Sequence, residues 1–136
     1  MIKQNLQSRG ITVLRVVVGI IFFMHGWQKL TVFHLAGVTG MLGGMGVPLP
    51  NIAAPVLITA ELIGGALLII GLFTRWAALL NAFDMLVAIL LVHLKNGFFN
   101  PKGVELPLAL LAATICLALA GPGAAAVDAI MKRRPA

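Results

Sequence analysis

The chain has 136 residues, of which 60% are hydrophobic and only 10% charged, with a formal net charge of +6. Soluble domains average roughly 45–50% apolar and 25% charged residues, so this composition excludes an ordinary soluble fold and indicates an integral membrane protein. A spanning helix takes about 20 apolar residues, so four crossings with short connections nearly exhaust the length and leave no separate soluble domain expected.

The first predicted span covers residues 11 to about 30. Lys3 and Arg9 precede it like the charged start of a signal peptide, but no small-x-small cleavage site follows, and three more apolar segments come after it. At 3.6 residues per turn, Arg15, Gly19, Gly26 and Lys29 fall on one face, with His25 at its flank. Residues 31–51 are apolar but broken by Gly37, Gly40, Gly43, Gly44 and Gly46, then Pro48 and Pro50. A short helix, lying in the interface or re-entrant against the bundle, is expected there, ended by the Gly46-Val47-Pro48-Leu49-Pro50 run because a residue before proline disfavours the helical region.

The second span, residues 52–73, carries Glu61 near its middle. A charge at the bilayer centre costs from about 2.5 to more than 10 kcal/mol, so such a residue faces the protein interior, pairs, or carries function. Glu61 shares its face with Gly64 and Gly65. In the third span, 76 to about 94, Ala77, Asn81, Asp84, Ala88 and Lys95 align while His93 points the other way. The fourth, about 106–120, holds Cys116, the only cysteine, which excludes an intramolecular disulfide or a Cys-x-x-Cys redox centre. Backbone groups in lipid must be satisfied within a helix or closed barrel, and these unbroken runs lack strand alternation. The expected fold is one all-α domain, a four-transmembrane-helix bundle.

Lys3, Arg9, Arg75, Lys132, Arg133 and Arg134 fall on one side of that bundle, against Lys29, Lys95 and Lys102 on the other. The positive-inside rule then puts both termini in the cytoplasm. Topology and contact with anionic membrane lipids account for the net charge, and no nucleic-acid partner is predicted. Small residues mark faces where membrane helices approach closely, so the charged stripes are expected to face one another. Arg15 lies near the cytoplasmic end and Asp84 roughly 12 Å in, which predicts a structural Arg15–Asp84 ion pair. Glu61 comes level with His25, below Gln28 and Lys29, and these four form the candidate ligand site. A carboxyl in a low-dielectric setting suits proton handling or hydrogen bonding to a ligand carbonyl. His25 and His93 are far apart and lack cysteine or acidic neighbours at ligand spacing, so no metal centre is predicted. Trp27 and Trp76 fit belts at opposite membrane edges. Ala60-x-x-x-Gly64 and Ala109-x-x-x-Ala113 suit close helix packing within one chain or between two, which leaves an oligomer open.

One ordered series runs His25-Gly26-x-x-Lys29-Leu30, Gly46-Val47-Pro48-x-Pro50, Glu61-x-x-Gly64-Gly65, Gly71-Leu72-x-Thr74-Arg75 and Gly121-Pro122-Gly123 before Asp128. It resembles the DoxX family of small four-helix membrane proteins over nearly the whole chain. Arg15, Asn96-Gly97-Phe98-Phe99 and Glu105 fit the same pattern, whereas residues 124–127 lack the serine expected before Asp128. The resemblance implies a bacterial inner (cytoplasmic) membrane protein, in a family named for a subunit of a quinol oxidase and thiosulfate:quinone oxidoreductase system. It also implies a quinone as cofactor and redox proteins as partners, with electrons carried only through a bound molecule or another subunit. Two functions follow as expectations: a membrane subunit of a quinone-linked redox assembly with its polar site around Glu61, or a non-catalytic scaffold or small-solute permease.

Overall fold

The structure, a computed structural model, describes residues 2–99 and 101–132. Arg133 and Arg134 of the basic tail lie outside the described residues. Six α-helices follow one another among the described residues: α1 (Ile2–Gln28), α2 (His34–Gly44), α3 (Pro50–Ile70), α4 (Thr74–Ala88), α5 (Glu105–Ala120) and α6 (Val127–Lys132). Three helical stretches, Ile2–Gly44, Pro50–Ile70 and Thr74–Asn96, are long and apolar enough to cross a membrane, and α5 is an apolar helix of 16 residues. The molecule is a helical membrane bundle.

Helix boundaries follow local chemistry. α1 starts at Ile2, well before the apolar run, because the residues ahead of that run include good helix formers such as Lys3, Gln4 and Leu6. A π-type turn, Lys29–Phe33, carries the chain to His34, whose φ of 57° and ψ of 166° are outside any helical region and break the axis. α2 then folds back against the bundle, burying Val38 and Leu42 with Ala54 and Ile58 of α3. Pro50 opens α3 at a position where its missing N–H costs nothing. Gly71 closes α3 in the left-handed region (φ 73°), its N–H donating to the Leu67 carbonyl at 2.9 Å. A second π-type turn, Ile89–His93, extends α4, and the short α6 has no counterpart in the predicted spans.

α1 packs most extensively on α3, and α4 on α5. Val18, Phe22, Leu68, Ala77, Ala78, Met85, Leu110 and Leu117 form the main core. The α1–α3 crossing is close because glycines line it. A Cβ at Gly19 would lie 2.8 Å from the Ile69 nitrogen, and one at Gly26 would lie 2.7 Å from that of Leu62. Gly64 of α3 accommodates the amide of Asn81 on α4, so the Ala60-x-x-x-Gly64 face is used within the chain. Val13, Val17, Ile20, Ile63 and Leu119 remain exposed, as side chains against lipid tails do.

Candidate functional site

At the end of the bundle where α1 begins, three charged side chains serve helix ends. Arg15 is 1% exposed, and its guanidinium donates to the carbonyls of Leu68 (3.0 Å), Ile69 (3.4 Å) and Ala125. Leu68 and Ile69 belong to the last turn of α3, whose carbonyls have no partner inside the helix. The expected Arg15–Asp84 ion pair is therefore corrected: the guanidinium is taken up by three carbonyls at this end. Asp84 stands ten residues into α4, about 15 Å from its start. Arg75 treats α5 in the same way, donating to Ala118 and Leu119 at 2.7 and 2.9 Å. Asp128 accepts from the N–H groups of Phe73 and Thr74, both at 2.9 Å, and so caps the start of α4.

Further along the bundle, α1 to α5 line an open-sided cavity of about 520 Å³. Its wall is largely apolar, with Phe22 from α1, Met41 from α2 and Met45 just after it, Leu57 from α3, Phe83 from α4 and Leu110 from α5. Five titratable side chains interrupt it: His25, Lys29, Glu61, Asp84 and His93. Lys29 Nζ lies 2.8 and 2.7 Å from the two oxygens of Glu61, a two-pronged ion pair whose side chains are 14% and 4% exposed. Asp84 Oδ2 is buried and has no hydrogen-bond partner among the described residues.

Of the four residues predicted to gather, His25, Lys29 and Glu61 share this wall, whereas Gln28 is exposed and is not part of it. Asp84, assigned to Arg15 from helix face and depth, belongs to the Glu61 group. His93, expected to point away from Asp84, lines the same cavity. The π-type turn Ile89–His93 is the reason, since its wider turn shifts the register that a regular helix would keep. His93 Nδ1 also lies 2.9 Å from the Lys102 carbonyl. Met41 and Met45 carried no sequence signal, because only the fold-back of α2 brings them to the wall.

The family model for DoxX matches residues 10–94. The chain belongs to the DoxX family. The DoxX match contains every titratable residue of the cavity wall, from His25 to His93. Asp128, which caps α4, lies beyond it. Among curated relatives, the chain is similar to CatD of Bacillus subtilis (strain 168), described as a candidate oxidoreductase, with 40% identity over 88% of this chain and 84% of that protein. It is similar to the inner membrane protein YqjF of Escherichia coli (strain K12), with 30% identity over 96% and 98%. Inner membrane protein YphA of the same organism is 27% identical over 85% and 86%. No solved structure matches the chain.

Proposed function

We propose that this DoxX protein is a multi-pass inner-membrane subunit of a redox assembly that holds a small ring compound, such as a quinone, in the cavity around Glu61. One observation carries the reading: a buried Lys29–Glu61 ion pair sits in the wall of a largely apolar cavity of about 520 Å³. That volume lies within the usual range for small-molecule sites, roughly 300–1,000 Å³ lined by apolar groups with a few polar ones. Charges at this depth are expensive unless they serve binding or proton movement. The name of the CatD relative favours redox chemistry in general, and those of the inner membrane relatives favour the location.

The residues present suit a quinone. Lys29 and His25 provide N–H donors for a ring carbonyl, and Met41, Met45, Leu57 and Leu110 provide an apolar bed for the ring and the start of a tail. A bound quinone would supply a two-electron, two-proton couple that the chain's own side chains lack. Glu61 holds the Lys29 ammonium in place and keeps it from facing lipid unpaired.

Native mass spectrometry of the protein released gently from its own membrane tests the reading. A retained quinone or redox protein is expected, and Glu61→Gln should lower the retained fraction severalfold. A protein that carries lipid alone, with Glu61→Gln indistinguishable from wild type, would overturn it.

A further inference from the structure

The two carboxyl groups of the cavity stand in different situations. Both oxygens of Glu61 are occupied by Lys29. Asp84 lines the same cavity, yet its Oδ2 is buried with no partner among the described residues. Buried polar atoms are nearly always paired, and an unpaired one in a binding cavity points to the group that pairs with it. The charges that reach Asp84 are those of Glu61 and Lys29. Lys29 is turned to both oxygens of Glu61, which leaves Asp84 Oδ2 open to a partner that enters the cavity.

We propose that Asp84 recognises the polar head of the ligand and selects a ring hydroxyl, as on a phenol or hydroquinol, over the carbonyl of the corresponding quinone. This rests on the reading that the cavity holds a ring compound. A hydroxyl both donates and accepts, so it satisfies Oδ2 whether the carboxyl is a neutral acid or an anion. A carbonyl only accepts, so it satisfies the neutral acid alone. Phe22, Met41, Met45 and Leu110 offer the rest of the molecule apolar contact with no further polar demand. Asp84 is thus the specificity-determining residue, whereas Lys29 and His25 offer the same donors to a ring hydroxyl or a ring carbonyl.

The test uses the full chain in lipid nanodiscs and equilibrium dialysis under anaerobic conditions, with empty discs as the reference for partition into lipid. The probes are ubiquinol-1, ubiquinone-1 and the dimethyl ether of the quinol. Wild type should bind the quinol more tightly than either other probe, with the preference over the quinone reaching about tenfold at a pH where Asp84 is ionised, the worth of about one hydrogen bond. Asp84→Leu should erase that preference. Asp84→Asn, the conservative variant, should narrow it to within about threefold, because an amide offers a donor to the quinone carbonyl as well. Equal binding of quinol and quinone by wild type, or a quinol preference that survives Asp84→Leu, would overturn the role of Asp84 and leave the cavity reading standing. Absence of saturable binding of every probe by wild type would overturn both.

Discussion

Arg15, Arg75 and Asp128 all act on helix ends, and all act across long stretches of sequence. The arginines meet the carbonyl ends of α3 and α5, and the aspartate meets the N–H end of α4, which is the charge order that helix dipoles favour. Partial burial works to raise the Asp128 carboxyl, but donation from the Thr74 and Phe73 N–H groups outweighs it and holds the pKa below the ordinary carboxylate value. Asp128→Ala should therefore lower stability by about 1 kcal/mol at neutral pH, read as a reduced thermal midpoint in detergent. A depressed folded-state pKa means that this stability is complete above the unfolded value, near 3.9, and is lost as pH falls through the folded one. The difference between wild type and variant should hold steady from pH 7 to about pH 4.5 and shrink below that; a difference that grows on acidification would contradict the capping role. Nothing local to Asp128 announces this role, since its partners precede it by 55 and 54 residues.

Among the elements, the pair α1 and α3 was the most legible. Gly19 and Gly26 on one helix, and Gly65 on the other, form the small-residue faces that close membrane packing requires. Gly19→Ala places a methyl against the Ile69 nitrogen and the Gly65 carbonyl, at 2.8 and 2.9 Å, where backbone has to yield. A loss of about 1–3 kcal/mol is expected from such overpacking. Gly40, inside α2, has nothing within 4 Å of an added Cβ, so Gly40→Ala should be neutral or stabilise by up to about 1 kcal/mol. Thermal unfolding of both variants in the same detergent checks the contrast, and equal effects would refute the close-crossing argument. The π-type turns were not legible. Their residues, Lys29–Phe33 and Ile89–His93, have ordinary helical composition, and the wider turn becomes visible only in the folded backbone.

For the molecule as a whole, the N-terminal part of α1 and the segment after α5 meet at one end, where Ala124 N–H donates to the Ser8 carbonyl at 3.2 Å and to Thr12 Oγ1 at 3.0 Å. Arg75 binds carbonyls of the last turn of α5 at that same end, and the described basic residues Lys3 and Arg9 lie near it in sequence. The excess of basic residues there predicts that this end is cytoplasmic. In a Cys116→Ser background, Lys102→Cys should react with a membrane-impermeant maleimide in intact cells, and Lys3→Cys only after the membrane is opened. The reverse pattern would invert the orientation.

Composition and apolar run length were enough for the membrane class and the helical fold, because lipid imposes the same demand on every residue of a span: apolar side chains and a backbone bonded within its own segment. The burial of Glu61 was readable for the same reason. Which charges meet was not readable, since it depends on helix rotation, on two widened turns and on where a loop returns. Those choices placed Asp84 with Glu61, turned His93 into the cavity and gave Arg15 to the carbonyls at the end of α3. Such contacts are decided by three-dimensional packing between distant segments, and no local pattern of residues encodes them.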